Sequence, residues 1–177
     1  VNSLNLGCGR DIRKGWINLD IASLPGVDVV HDLRQLPLPF EDEQFDRILA
    51  KDVLEHVDYI PLLKELHRIL RPGGELMIQV PHFTSADNYV DPTHKSKFSV
   101  RTLEFFISDS KLGREYYFDF SFQRIARRHI GFLRGPLFYN YLVELLVNSS
   151  YRIQKYYEVT FLSALFPAQN ISVTIVK

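Results

Sequence analysis

From Ser3 to about Val80, short apolar runs alternate with turn or helix signals, which is the texture of a parallel α/β sheet. The runs predict strands at residues 3–7 ("SLNLG"), 16–20 ("WINLD"), 27–32 ("VDVVHD"), 45–50 ("FDRILA") and 75–80 ("ELMIQV"). Between the last two lies "VDYIPLLKELHRILRPGG". There Leu62, Leu63, Leu66, Ile69 and Leu70 share one face of a 3.6-residue period, and Pro61 suits a first helical turn. "RPGG" then ends the helix.

Past Val80 the pattern changes. Residues 81–97, "PHFTSADNYVDPTHKSK", read as a long polar loop directly after a strand. Residues 99–111 read as a helix capped by Ser99, with Val100, Leu103, Phe106 and Ile107 facing inward. Residues 116–125 alternate strictly, placing Phe118, Phe120 and Phe122 on one face, and so predict a strand; residues 170–177 predict the last one. Residues 131–167 are aromatic, mostly helical and inserted into the basic fold. Within them a helix from Pro136 is apolar on nearly every side except a stripe of Asn140, Glu144 and Asn148. Such a helix is buried, lines a pocket, packs in a dimer or lies on a membrane; core packing or a homodimer through 135–149 is the plainer expectation.

Composition narrows this picture. A chain of 177 residues can bury a real core as one domain, and nothing in its 46% apolar content argues for disorder. Zero net charge gives no general case for nucleic-acid binding, so any anion preference must be local. The one such patch is "RIARRHIGFLR", with Arg124, Arg127, Arg128, His129 and Arg134, suited to a phosphate, an anionic sugar, a membrane surface or plain solvent. A single cysteine, Cys8, excludes an internal disulfide and a multi-thiolate zinc site, and fits a cytoplasmic location. The sequence leads us to expect neither a signal peptide nor a membrane-spanning segment. The first residue is Val1, with a strand starting almost at once, so the natural chain is expected to begin earlier.

Candidate chemistry gathers at strand ends. Gly7 and Gly9 in "LNLGCG" close the first strand and let backbone approach a ligand; by itself that is an ordinary tight turn. Asp20 ends the second strand, where a carboxylate can accept both ribose hydroxyls, and Asp32 ends the third, where it can accept from a base amine. The order of the three is the informative part. Only six residues, Arg10 to Gly15, separate Gly9 from Trp16, too few for the usual crossover helix. Asp20 follows Gly9 by eleven residues, whereas a dinucleotide fold places its acid about twenty residues on. NAD is therefore the wrong ligand.

With "INLD", "VHDLRQLPLPFEDEQFDRILAKDVLEHV" and "LLKELHRILRPGGELMIQVP" added, the sequence resembles the class I S-adenosylmethionine-dependent methyltransferases with a type 11 domain, firmly from about residue 3 to 111 and loosely beyond. The resemblance implies an α/β, Rossmann-like class I methyltransferase fold: a mostly parallel sheet with an antiparallel last strand, a shortened first crossover and a partly helical cap from 81–98 and 131–167, all as one domain. It implies S-adenosyl-L-methionine as cofactor and S-adenosylhomocysteine as product. Gly7, Cys8 and Gly9 would line the methionine and ribose portion, Asp20 would hold the ribose, and Asp32 with the Leu33 amide the adenine. Lys51 would stand beside the sulfonium. The family usually carries an acid where Asn5 stands and often a glycine where Asp11 stands; Asp11 could replace the missing acid.

Catalytic groups are expected just past strands four and five, in "KDVLEHV" (51–57) and "VDPTHKSKF" (90–98). Asp52, Glu55, His56 and His94 resemble an arrangement in the small-RNA 2′-hydroxyl and quinone-biosynthesis O-methyltransferases, where two acids and two histidines hold a divalent metal. A metal-free proton acceptor, His56 or His94, with Glu55 beside it, is the favoured expectation, with structural roles open; His82 is a further pocket candidate or a satisfied loop histidine. The expected reaction is methylation of an oxygen on a small or lipid-like metabolite. The alternatives are RNA ribose 2′-O-methylation and a non-catalytic SAM-binding or scaffold protein.

Overall fold

The computed structural model describes residues 2–113, 116–135 and 137–177. Seven strands form one sheet: β1 (Ser3–Leu6), β2 (Ile17–Asp20), β3 (Val29–Val30), β4 (Phe45–Lys51), β5 (Leu70–Pro81), β6 (Arg124–Gly131) and β7 (Asn170–Val176). Their order is β3-β2-β1-β4-β5-β7-β6, with the first five parallel and β7 antiparallel to both its neighbours. Strand order reverses between β1 and β4, which opens a crevice at their carboxyl ends. All four residues of β1 are buried because strands flank it on both sides.

Helix α1 (Tyr59–Ile69) carries the predicted face inward: Leu62, Leu63, Leu66 and Ile69 are buried against the sheet. Each such side chain contributes about 1.5–3 kcal/mol on leaving water. Glu65 is also buried and is held by Arg68, and its Oε1 accepts from the Leu38 amide at 2.7 Å. Four shorter helices follow: α2 (Asp87–Val90), α3 (Asn140–Val147), α4 (Tyr151–Val159) and α5 (Leu162–Leu165). No helix among the described residues is long and apolar enough to cross a membrane.

The first crossover is short, as the spacing predicted. Arg10 to Gly15 form no helix, and the buried Asn18 holds the loop instead. Its Oδ1 accepts from Arg13 N at 2.9 Å, and its Nδ2 donates to the Arg13 and Trp16 carbonyls.

Two elements differ from their sequence pattern. The expected helix over 99–111 is only a 3₁₀ turn, Thr102–Phe106, because Ile107 is drawn into a bridge with Phe122. Val100, Leu103, Phe106 and Ile107 are nonetheless buried. The strand expected at 116–125 instead begins at Arg124 and runs to Gly131. Register explains the shift: Arg124 pairs with Val176, the last residue of β7, so the preceding residues run past the end of β7. Phe118, Phe120 and Phe122 alternate for a different reason. Phe118 and Phe120 ring-pack on Phe106 at 4.6 and 5.7 Å, and Phe122 packs on His67 at 5.2 Å.

Helix α3 is turned opposite to the core-packing expectation. Its polar stripe points in and its leucines point out. Asn148 donates to the Ile130 carbonyl and accepts from the Ile130 amide, both at 2.8 Å, while Glu144 accepts from Phe132 N at 3.2 Å. Asn140 donates to the Leu133 carbonyl at 2.6 Å. Polar side chains thus dock α3 on the outer backbone of β6 and just beyond it. Pro136, where that helix was expected to start, lies outside the described residues. A second apolar cluster, Val100, Ile130, Phe132, Val147, Tyr157 and Ala168, joins these helices to the sheet.

Candidate active site

The β1–loop turn opens a cleft of about 370 Å³ lined by Gly7, Asp20, Asp32, Leu33, Asp52 and Val53 among others. Gly7 sits at φ 60°, and a Cβ there would come within 2.6 Å of Val53 Cγ2, so only glycine leaves the turn in place. Asp20 fixes the floor: Oδ2 accepts from Gly9 N at 2.7 Å and Oδ1 from Ala22 N at 2.9 Å. Each oxygen keeps a further lone pair for a hydroxyl donor. Asp32 is gripped by the Arg34 guanidinium at 2.7–3.1 Å, and those hydrogen bonds hold its carboxyl down at about 2. Arg34 therefore covers the carboxylate that a base amine would reach.

The other predicted cofactor residues sit around this cleft. Asn5 is buried below it and donates to the Asp11 carbonyl at 2.7 Å and to Asn18 Oδ1 at 3.1 Å. Asp11 Oδ2 lies 3.6 Å from both Lys51 Nζ and Arg13 Nη2, at the lip. Cys8 is buried, and burial, with Asp20 nearby, pushes its thiol up, away from thiolate chemistry. Its backbone contributes instead, donating to the Leu19 carbonyl at 3.0 Å. Sequence reasoning missed Val53, Arg34 and Asn18, since neither packing on a glycine nor an ion-pair lid leaves a motif.

A second cavity, about 550 Å³, adjoins the first and is lined by Lys51, Asp52, Glu55, His56, Asp91 and His94 among others. Asp52 and His56 line both. Asp52 follows β4 at φ 54°, a left-handed conformation that Asp tolerates better than most residues, and so turns the chain between the cavities. A 3₁₀ turn, Leu54–His56, follows, and the Glu55 carbonyl accepts from Lys95 N at 2.7 Å, which ties the 90–98 loop across it. This bond brings His94 to His56 from 38 residues away in the chain; the rings pack edge to face at 4.6 Å.

The protonation states follow from the network. Asp91 Oδ1 accepts from the Thr93 hydroxyl at 2.6 Å, and His56 Nδ1 lies 2.8 Å from Thr93 Oγ1. A hydroxyl has one proton, already given to Asp91, so Nδ1 is the donor and Nε2 carries a free lone pair. Burial, reinforced by His94, lowers the His56 pKa and keeps the ring neutral. Glu55 is 1% exposed, and neither of its carboxylate oxygens has a hydrogen-bond partner among the described residues. Burial, with Asp52 and Asp91 adding repulsion, pushes its pKa to about 7.

The same group fits a divalent cation. A Glu55 oxygen and one ring nitrogen each of His56 and His94 lie within 4.8 Å of one another, and His94 Nδ1 is likewise unpartnered among the described residues. A buried carboxylate lacking donors needs a proton or a cation. Glu55, His56 and His94 would hold such an ion, which would lower the pKa of a hydroxyl bound to it. His82 plays no such part. It is fully buried, bonded to Thr84 at 2.7 Å and Glu158 at 3.2 Å, and lines neither cavity.

Comparison with known proteins bears on the fold that carries this site. Residues 7–78 match a methyltransferase domain family. A demethylmenaquinone methyltransferase of Staphylococcus epidermidis is 44% identical over 54 residues, 30% of this chain and 22% of that protein. A Mycolicibacterium smegmatis protein named as a probable S-adenosylmethionine-dependent methyltransferase is 29% identical over 123 residues, 56% of this chain and 47% of that protein. The chain thus spans less than half the length of these curated relatives. The solved structure of a SAM-dependent methyltransferase from Archaeoglobus fulgidus superposes with a TM-score of 0.63 at 19% identity, covering 99% of this chain and 86% of that one. The sheet order and the reversed β7 give this chain the fold of the SAM-dependent methyltransferase it superposes on, and residues 7–78 carry the methyltransferase-domain match.

Proposed function

We propose that this chain transfers a methyl group from S-adenosyl-L-methionine to an oxygen of a small or lipid-like acceptor. The carrying observation is that the glycine–aspartate cleft and the histidine-lined cavity meet at Asp52 and His56. Gly7 and Asp20 would bind the methionine and ribose portions, and Asp32 and Leu33 the adenine once Arg34 swings aside. The bound cofactor supplies a methyl group activated by its sulfonium. The remaining work is to align an acceptor and remove its proton. His56 Nε2 would be the base, placed to take the proton of an acceptor hydroxyl, while Asp91 and Thr93 hold the tautomer. A base beside an unpartnered buried carboxylate favours oxygen as the acceptor atom. A free thiol at Cys8 is consistent with a cytoplasmic setting.

The test is a thermal melt with S-adenosylhomocysteine, followed by Asp20→Ala. Ligand at a hundred times its dissociation constant adds about 2.7 kcal/mol, roughly 5–10 °C for a chain this size. Asp20→Ala should weaken binding by about 1.5–3 kcal/mol. A flat melt for the unaltered chain would leave the fold as a scaffold and end the reading.

A further inference from the structure

The inverted helix leaves an apolar face uncovered. Phe138, Tyr141, Leu142, Leu145 and Leu146 recur at helical spacing and are 55–77% exposed. The outward side of α4 adds Ile153, Tyr156 and Val159, with Arg152 among them. A continuous apolar face of this kind on a folded chain marks an interaction surface.

Charge says what covers it. Residues 124–167 hold six arginines and lysines against two carboxylates, in a chain whose total is zero. Both carboxylates are buried and engaged: Glu144 with Arg134, His129 and the Phe132 amide, Glu158 with His82 and the Val100 amide. Every exposed charge of this segment is therefore positive. Arg134 lies over the Tyr141 ring at 5.1 Å, on the apolar face itself. Beside that face, a groove of about 400 Å³ is lined by Arg101, Lys111, Arg124, Arg128 and Lys155, with Glu104 and Asp109. Glu104 is already held by Arg128 and Tyr151.

We propose that the outward side of α3 and α4 seats on an anionic lipid bilayer, its apolar and aromatic side chains in the interfacial layer and the flanking cations on headgroup phosphates. A second copy fits less well. A twofold dimer sets a patch against itself, so the cations around α3 and α4 would face a surface whose exposed charges, over the described part of residues 124–167, are also positive. The docked face also leads to the acceptor cavity. An apolar cavity of about 330 Å³, lined by Leu133, Leu137 and Pro167, shares Asp87 and Gln169 with it. An acceptor drawn from the bilayer would enter there, a consequence that rests on the methyl-transfer reading.

Co-sedimentation of the whole chain with vesicles tests the docking. Phosphatidylcholine vesicles are compared with vesicles also containing phosphatidylglycerol, at low and high salt and without cofactor. The chain should pellet with the anionic vesicles and be released by salt. Leu142→Glu/Leu145→Glu should cut binding by about tenfold or more while melting like the parent, since both positions are exposed. Arg124→Gln/Arg152→Gln should weaken it at low salt only. Equal binding to both vesicle types, or undiminished binding by the leucine variant, would overturn the proposal. So would a dimer abolished by that variant without vesicle binding, which would assign the face to a second copy. Cofactor binding is measured separately, so either reading can fail while the other stands.

Discussion

His56 and His94 pack edge to face with ring centroids 4.6 Å apart, each from a different segment of chain. Two imidazoles this close disfavour a positive charge on either. His94→Ala should therefore raise the His56 pKa, through lost repulsion and through added water at the ring. A proton NMR titration would follow the His56 signal directly. The acidic limb of the pH–rate profile should move to higher pH with it. An unmoved titration would mean that the neighbouring ring has no influence on the base.

Glu55 offers a stability measurement. Its folded pKa of about 7 lies above its ordinary value of 4.5, so the folded protein holds this proton more tightly than the unfolded chain. The stabilisation is complete below about pH 4.5 and is lost as pH rises through 7. The gap corresponds to about 3 kcal/mol at high pH. Glu55→Gln removes the titration, so the variant should outlast the parent in denaturant at pH 8 and match it near pH 4. Parallel pH curves for the two proteins would contradict the burial argument.

A cation would reverse that sign. With Mn²⁺ or Zn²⁺ held by Glu55, His56 and His94, the parent should gain melting temperature at pH 8 and lose the gain on adding EDTA. Glu55→Gln and His94→Ala should show no gain. Melts insensitive to both ions would leave the carboxyl to its proton.

The two turn glycines should respond unequally to a methyl group. Gly7→Ala meets Val53 at 2.6 Å in a left-handed conformation, so chemical denaturation should show a loss of about 2–4 kcal/mol. Gly9 at φ 51° has no atom within 4 Å of a Cβ, so Gly9→Ala should cost only the backbone term, about 1–2 kcal/mol. Equal losses would remove Val53 from the account of the cleft.

Much of this architecture was legible because it depends on local pattern. The apolar run of β1, the α1 face at Leu62, Leu66 and Ile69, and the missing helix between Gly9 and Trp16 can all be read from spacing. The aromatic segment was misread because alternation of Phe118, Phe120 and Phe122 records only that one side is buried. Whether a backbone partner exists there depends on where β7 ends, and that lies fifty residues later in the chain. Helix α3 shows the same limit: Asn140, Glu144 and Asn148 were visible as a stripe, but their targets on Ile130, Phe132 and Leu133 were not. At the site, Glu55, His56 and His94 were nameable from the sequence. Their meeting depends on the Lys95 amide bond to the Glu55 carbonyl, which has no sequence signature.

The docking of α3 on β6 bears on what can add to the open margin of the sheet. A sheet has two open margins where another extended chain can add itself. One margin here is β3, only two residues long. At the other, the Ile130 amide and carbonyl are taken by Asn148 and the Phe132 amide by Glu144. With no net charge, molecules of this chain have little mutual repulsion to hold them apart. Protection against fibril-like growth from that margin therefore falls to an asparagine and a glutamate, polar residues whose place inside the helix contact guards the protein from its own kind.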